Sequence, residues 1–240
     1  KVSDPSFLGG KDFEVMSPLS EDETKRQISE IFVDQHYKAG CYKKDMVIID
    51  IGANMGLASL YFKDWAKMIY AIEPSSACYE CLVENTKNCP NIKTFNLAIM
   101  HENRSVSLRC NDGGDLPQSI FGNFSKMETV QGVTIEKFMQ DNKIEHVDLL
   151  KIDCEGAEYC ILPSFEFKRV APKIDFIIGE SHYQEVARPI FIPEILKESG
   201  FKTEFLPIVN QYNVLTYDDG PSGQQVEYRV EAQTIFKAWK

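Results

Sequence analysis

The feature that most constrains this fold is a short apolar run that leads into a glycine-containing turn. Met46–Ile51 reads Met-Val-Ile-Ile-Asp-Ile, and Gly-Ala-Asn-Met-Gly follows at residues 52–56. An unbroken apolar run of this length is typical of a strand buried on both faces of a parallel sheet. Residues 57–65 then predict a helix. The sequence therefore indicates a strand, a tight turn and a helix in succession.

Strand and helix patterns keep alternating along the chain. This alternation predicts an α/β fold built on a doubly wound, mostly parallel sheet. Alternating residues at 226–238 predict a final antiparallel strand, and a short strand at 105–110 precedes a long loop at 111–131. The other strands are predicted at residues 68–72, 92–97, 147–152, 174–179 and 201–206, and the other helices at 75–88, 134–140, 155–162 and 189–199.

Residues 1–45 are predicted to form an arm and a helix that pack on a core domain of residues 46–240. The first 18 residues are mostly polar and contain Gly and Pro, which indicates an extended arm. A capping box at residues 20–23 begins a helix that we expect to reach Ala39 and to end at Gly40.

Composition excludes several classes of protein. The chain has 240 residues and a net charge of −10, and a field of that sign disfavours duplex nucleic acid as a partner. The odd count of seven cysteines argues against a disulfide scaffold. No apolar run reaches the ~18 residues that span a bilayer, and no signal segment begins the chain. We therefore expect a cytoplasmic protein, and the pattern sets no oligomeric state.

The turn at residues 52–56 indicates a ligand site. A nicotinamide dinucleotide would require Gly-x-Gly-x-x-Gly here, which disfavours an oxidoreductase. Asp50 at the strand end is a poor neighbour for a pyrophosphate and suits a cationic ligand such as S-adenosylmethionine. Glu73 ends the next strand, where an acidic residue accepts hydrogen bonds from ribose hydroxyls.

Four separate segments resemble the FkbM family of methyltransferases. They are Asp-Ile-Gly-Ala-Asn-Met-Gly at 50–56, Ala-Ile-Glu-Pro at 71–74, Asp-Leu-Leu-Lys-Ile-Asp-Cys-Glu-Gly-Ala-Glu at 148–158 and Ile-Ile-Gly-Glu-Ser-His at 177–182. The resemblance covers about residues 46–182. It implies a seven-stranded Rossmann-like methyltransferase fold, S-adenosylmethionine as the methyl donor, and O-methylation of a sugar, a polyketide or a related small molecule.

The resemblance also implies which residues bind the donor. Glu73 would hold the ribose, and Ala98 would lie near the adenine. After Ala98 the chain reads Ile-Met-His, where the family often has Ser or Gly and then Asp. The methionine half would be lined by Asp50, Gly52, Ala53, Asn54 and Gly56.

A second group of charged residues lies at the ends of two later strands. Lys151 and Asp153 share one face of a strand, and Glu155 follows at its carboxyl end, where ligands bind in open α/β sheets. Glu180 and His182 share a face at the end of the strand predicted at 174–179. The candidate catalytic residues are His182, Asp153, Glu155 and Lys151, with His182 the best base by intrinsic pKa. The alternative is a structural Lys–Asp pair, with Glu155 and Glu158 stabilising a helix N-terminus.

Two further alternatives stay open at this level. A divalent metal among Asp153, Glu155 and Glu180 could orient an acceptor hydroxyl, and we rank it below a metal-free mechanism. A regulatory or interaction module that binds S-adenosylmethionine without catalysis is the rival functional class. The sequence does not identify the small-molecule or saccharide acceptor.

Overall fold

A computed structural model describes residues 2–3, 14–110, 126–182, 192–207, 212–218, 225–231 and 233–240. The strands are β1 (Val2–Ser3), β2 (Glu14–Val15), β3 (Met46–Ile51), β4 (Ala66–Ile72), β5 (Ile92–Phe95), β6 (Ala98–Met100), β7 (Arg104–Cys110), β8 (Lys126–Thr134), β9 (Val147–Ile152), β10 (Ile174–His182), β11 (Lys202–Pro207), β12 (Tyr212–Asp218), β13 (Gln225–Glu231) and β14 (Gln233–Trp239). The helices are α1 (Glu21–Ile28), α2 (Leu57–Phe62), α3 (Ser76–Thr86), α4 (Ile135–Asp141), α5 (Glu158–Ile161), α6 (Phe165–Val170) and α7 (Ile192–Glu198).

A seven-stranded sheet organises the molecule, in the order β11-β14-β10-β9-β3-β4-β5. The pairs from β10 through β9, β3 and β4 to β5 are all parallel. Strand β14 lies antiparallel to both β10 and β11. This confirms the predicted mostly parallel sheet with an antiparallel last strand. It also places the carboxyl ends of β3, β4, β9 and β10 side by side.

Both faces of the central strands are buried, as their unbroken apolar sequences predict. Ile48 and Leu149 pack into a core with Phe62 on one face, while Ile49 and Leu150 pack into a second core on the other. Each of these four aliphatic residues is fully buried, which is worth about 1.5–3 kcal/mol per side chain. Consecutive residues therefore anchor the sheet from opposite sides and hold the strand ends in place.

Three predicted boundaries were wrong. Helix α1 ends at Ile28 and continues as a π-helical turn over Ser29–Val33 instead of reaching Ala39, and Gln35 then adopts a left-handed φ of 54°. The predicted loop overlaps β8, which pairs with β7 and β6 in a separate three-stranded sheet. The tail is two strands, β13 and β14, rather than one. In the second and third cases, pairing with other strands overrides the local pattern.

Parts of several predictions fall outside the described residues, namely 1 and 4–13 of the arm, 111–125 of the loop, 189–191 of the helix predicted at 189–199 and 232 of the tail strand. The described part of the N-terminal segment contacts the core directly. Asn85 on α3 accepts a hydrogen bond from Met16 N at 2.8 Å and donates to the carbonyl oxygens of Met16 and Met55. Ile28 packs with Met55 and Leu57. The domain division at residue 45 stays a prediction.

No helix in the described part of the chain is long and apolar enough to cross a membrane.

Candidate functional site

A cavity of about 340 Å³ lies at the carboxyl ends of β3, β4, β9 and β10. This volume falls in the range of small-molecule sites, and the position is the one where ligands bind in open α/β sheets. The N-terminal segment and the small sheet complete its walls. Of the residues predicted from sequence, the cavity is lined by Gly52, Ala53, Asn54, Glu73, Ala98, Lys151, Asp153, Glu155, Glu180 and His182.

Gly52 must be a glycine because the turns that follow β3 and β9 pass close to each other here. Its φ is +74°, and a Cβ atom there would lie 1.7 Å from the carbonyl oxygen of Asp153. The bare backbone therefore lets the turn after β3 pass the turn after β9, a packing reason that the sequence pattern alone did not reveal. Ala53 N completes the turn by donating to Ile72 O at 2.9 Å.

Gly56 has a packing role at the start of α2, and its predicted contact with the donor stays a prediction. It caps α2 with a φ of +92°, and an added Cβ would lie 2.8 Å from Leu82 Cδ1 on α3. Gly56 is therefore needed for the packing of α3 against the turn. It is absent from the described lining of the cavity.

Glu73 and Asn54 are joined across the ends of β4 and β3. Glu73 is 7% exposed, and its two carboxylate oxygens accept from Asn54 N at 2.8 Å and from Ser75 N at 2.9 Å. Asn54 adopts a left-handed φ of 51°. Its Oδ1 is buried and has no hydrogen-bond partner in the described structure. The cavity thus contains a held carboxylate and an amide oxygen that is open to a donor.

Asp50 lies behind the turn and does not face the cavity. It is fully buried, it accepts from Ser59 Oγ at 2.7 Å, and its Oδ1 lies 3.2 Å from Lys151 Nζ. Lys151 also donates to Gly52 O at 2.7 Å. A buried carboxylate needs such partners; Ser59 supplies a hydrogen bond to Oδ2, whereas Oδ1 has the ion pair with Lys151 but no hydrogen bond among the described residues. Asp50 and Lys151 together therefore fix the turn at Gly52.

Asp153 is bound by a residue that sequence reasoning missed. Tyr37 Oη donates to Asp153 Oδ2 at 2.6 Å, although the two residues are 116 positions apart. Tyr37 is 5% exposed and lines the cavity. No local motif marks it, since a tyrosine after a helix is common. The N-terminal segment therefore contributes directly to the site.

Glu155 and Glu158 have distinct settings in the turn after β9. Glu155 lines the cavity and has a left-handed φ of 54°, and Gly156 follows at 100°. Glu158 is fully buried and accepts from Cys154 N at 2.5 Å and Gly156 N at 2.8 Å. Glu158 thus holds the turn that presents Glu155.

His182 lies among four carboxylates. Its Nε2 is 3.7 Å from Glu155, 3.8 Å from Glu180 and 3.9 Å from Asp153. Its Nδ1 faces Glu158 Oε1 at 3.7 Å. The structure therefore brings together the two predicted groups of charged residues, one from β9 and one from β10.

Burial and charge shift the pKa values of these groups. Burial raises the pKa of Glu155 to about 7 and that of Glu180 to about 8, with Asp153 adding to the second shift. Burial alone would lower the pKa of His182, but Glu158, Glu155 and Asp153 outweigh it and raise the value to about 10. His182 is therefore protonated at neutral pH in this arrangement, so its role as a base requires a change in the charges around it.

Comparison with known proteins decides the family. The sequence profile of the Methyltransferase FkbM domain matches residues 50–203. The chain belongs to the FkbM methyltransferase family. This confirms the resemblance drawn from the four segments, and Glu73, Asp153 and His182 all lie within the matched part.

Two curated relatives of this FkbM methyltransferase are also methyltransferases. "Methyltransferase 1" of Beauveria bassiana is 26% identical, and the alignment covers 63% of this chain and 71% of that protein. "Methyltransferase sdnD" of Sordaria araneosa is 25% identical, and the alignment covers 82% of this chain and 91% of that protein.

A solved structure supports the fold. The precorrin-6y C5,15-methyltransferase of Geobacter metallireducens superimposes with a TM-score of 0.50 at 14% identity, covering 98% of this chain and 97% of that one. Tyr37 precedes the part matched by the FkbM profile, so its contact with Asp153 is a contribution from outside that part.

Proposed function

We propose that this FkbM methyltransferase uses S-adenosylmethionine to methylate a hydroxyl group of a sugar or another small molecule. The observation that carries the proposal is the placement of Glu73. Its buried carboxylate lines the same cavity as the Gly52 turn and the acidic cluster. The cavity therefore offers a ribose acceptor at one end and negative charge at the other.

The residues present fit the nucleoside half of this donor. Each Glu73 oxygen accepts one backbone N–H and keeps a further lone pair for a ribose hydroxyl. Ala98, which is 7% exposed at the start of β6, lines the cavity as the predicted neighbour of the adenine.

The residues also fit the cationic methionine half. Asn54 Oδ1 is a buried acceptor without a partner among the described residues, and an amino group would satisfy it. Asp153 and Glu155 supply negative charge where the resemblance placed Asp50. Lys151 and Ser59 already bind Asp50, so we assign Asp50, Gly52 and Gly56 to shaping the turn.

The chemistry of transfer is a displacement at carbon. The acceptor oxygen forms a bond to the methyl carbon, the carbon–sulfur bond breaks, and its electron pair stays on sulfur. The protein aligns the hydroxyl with the donor and excludes water, which is the larger part of its work. Asp153 and Glu155 are the groups placed to bind that hydroxyl and to take up its proton, and His182 can take it up once the charges around its ring change. Lys151 would act by holding Asp153 and the turn, since it is 2% exposed.

Donor binding and transfer can be tested separately. We expect native mass spectrometry to detect co-purified S-adenosylhomocysteine or its binding on addition. We also expect labelled methyl to pass from the donor to a member of a panel of hydroxylated sugars and small molecules. Absence of binding by calorimetry with both donor and product would contradict the proposal.

Alanine variants of His182, Asp153 and Glu155 test the catalytic assignment. Each should lower turnover while S-adenosylhomocysteine still binds through Glu73, with a smaller loss of affinity expected in the Asp153 and Glu155 variants than the loss of turnover. His146→Ala is the matched control, since His146 is about half-exposed and pairs with Asp175. Turnover that stays at the level of the unsubstituted protein in all three variants would remove these residues from catalysis. Binding without transfer to any acceptor would favour the non-catalytic alternative.

A further inference from the structure

The acidic end of the cavity has more negative than positive side chains. Among the described residues, two cationic side chains lie within 4.0 Å of the carboxylates of this cluster. They are Lys151 and His182. Five carboxylates are involved, namely Asp50, Asp153, Glu155, Glu158 and Glu180. Buried charge of one sign is costly unless a counter-charge is bound. Glu155 has a further interaction besides these, and a bound cation or bound protons would compensate the negative charge that remains.

His182 indicates which cation. It is 8% exposed, its Nδ1 has no hydrogen-bond partner in the described part of the chain, and its Nε2 points at three carboxylates. Distances of 3.7–3.9 Å are too long for hydrogen bonds, but they leave room for an ion between the nitrogen and the oxygens. One ligand atom each from Asp153, Glu155 and His182 lies within 4.8 Å of the others.

We propose that Asp153 Oδ1, Glu155 and His182 Nε2 bind a divalent cation of the Mg²⁺ or Mn²⁺ type in this cavity. Oxygen-rich sites favour these ions over Zn²⁺ or Cu²⁺, and a single imidazole is compatible with Mn²⁺. The inference rests on the proposed function only for the role of the ion, which is to orient the acceptor hydroxyl and lower its pKa. Binding of the ion itself is independent of the acceptor, and it releases the proton that His182 carries in the metal-free arrangement.

The surrounding contacts are those that such a site needs. Tyr37 takes Asp153 Oδ2, which leaves Oδ1 on the side of His182. Glu158 lies on the Nδ1 side of the same ring and is itself held by two backbone N–H groups. A histidine that binds a metal through one nitrogen usually donates its other N–H to a carboxylate. Glu158, 3.7 Å from Nδ1 in the metal-free arrangement, would accept that hydrogen bond and so act as a positioning residue for a metal-bound His182.

Manganese provides the direct test. The full chain, freed of metal with a chelator and dialysed, is titrated with Mn²⁺ and followed by electron paramagnetic resonance and calorimetry. We expect one Mn²⁺ site with hyperfine coupling to an imidazole nitrogen, and competition by Mg²⁺. His182→Ala should remove the nitrogen coupling. Glu155→Gln should weaken binding by at least about tenfold, and Glu158→Gln by about 10–100-fold.

A second cluster at the amino ends of β9 and β10 supplies the control. His146, Asp148 and Asp175 also place ligand atoms within 4.8 Å of one another, but they are exposed or half-buried, and Lys43 already pairs with Asp148 at 2.6 Å. Mn²⁺ binding should be unchanged in His146→Ala. Loss of the site in His146→Ala with retention in His182→Ala would overturn the proposal, as would no Mn²⁺ binding by the unsubstituted chain.

S-adenosylhomocysteine binding separates this proposal from the previous one. A variant that binds the nucleoside but not Mn²⁺ is folded, so loss of metal then reflects loss of a ligand. If the unsubstituted chain binds S-adenosylhomocysteine but not Mn²⁺, the proposed function stands and the metal site fails. If it binds Mn²⁺ but not the nucleoside, the reverse holds. Methyl transfer that survives exhaustive chelation would overturn the role of the ion.

Discussion

Single residues in this protein are constrained by what lies directly against them. Gly52 must lack a side chain because the carbonyl of Asp153 occupies that space. Glu73 must be an acceptor because two backbone N–H groups point at it. Both residues were picked out from sequence as ligand contacts, and the structure adds a reason within the protein for each.

Replacing Gly52 by alanine should destabilise the protein strongly. The left-handed φ costs a non-glycine residue about 1–2 kcal/mol, and the collision with Asp153 O adds to it. Gly200→Ala is the matched control, because Gly200 has a φ of +88° but open space around its Cα. Urea denaturation should give a clearly larger loss for Gly52→Ala than for Gly200→Ala. Equal losses would show that the collision is relieved at no cost.

Glu73 should make nucleoside binding depend on pH. Burial raises its pKa to about 7, so the carboxyl is protonated below that pH and ionised above it. Ribose hydroxyls donate to the ionised form. Adenosine, which carries no charge in this range, should therefore bind more tightly as pH rises from 6 to 8, by up to about tenfold per unit below the pKa.

Calorimetry with Glu73→Gln completes this test. The variant should bind adenosine more weakly and with no dependence on pH over the same range. Asp50 and Lys151 are the charged groups that act on Glu73, and neither changes in this variant. An unsubstituted protein whose affinity for adenosine is constant from pH 6 to 8 would contradict the role of Glu73.

At the level of elements, the site is built where segments far apart in sequence meet. Strands β3, β4, β9 and β10 each contribute their carboxyl end, and the segment after α1 contributes Tyr37. The strands were predictable because apolar runs bounded by glycine leave few alternatives. The N-terminal segment was not, since its contact is made by one hydroxyl with no periodic signal.

Tyr37→Phe should measure how firmly that segment is attached. The variant keeps the ring but removes the hydrogen bond to Asp153, which should cost about 1.5–3 kcal/mol because the acceptor is charged. Tyr61→Phe is the control, because the hydroxyl of Tyr61 donates no hydrogen bond to the described residues and its loss should change stability by less than about 0.5 kcal/mol. Chemical denaturation of both variants checks this. Equal stability of the two variants would show that the hydrogen bond from Tyr37 to Asp153 does not stabilise the protein.

The whole molecule has the fold of its family, with a cavity that is acidic at one end. Its net charge of −10 agrees with a small-molecule acceptor better than with a nucleic acid. The seven-stranded sheet is common to methyltransferases, so the fold alone sets no acceptor. We expect the choice of acceptor to depend on residues around the cavity, including the N-terminal segment and the small sheet of β6, β7 and β8.

Binding of the donor product should stabilise the entire domain. A ligand at 100 times its dissociation constant adds about 2.7 kcal/mol to the free energy of unfolding. For a chain of 240 residues this corresponds to a rise in Tm of roughly 5–10 °C. Differential scanning calorimetry should show this shift with S-adenosylhomocysteine but not with NAD, because the turn lacks the dinucleotide glycine spacing. A shift with NAD alone would reverse the assignment.

The sequence by itself determined the alternation of strands and helices in the core, the turn at Gly52, the position of Glu73 at a strand end and the methyltransferase family. These depend on local patterns, namely apolar runs, glycine positions and spacing, which act within a few residues. Only the tertiary structure decided which charges are compensated. Lys151 pairs with Asp50 and reaches the Gly52 carbonyl from 99 positions away, and Tyr37 binds Asp153 across 116. Such contacts depend on which segments are neighbours in the folded chain, and no local pattern records them.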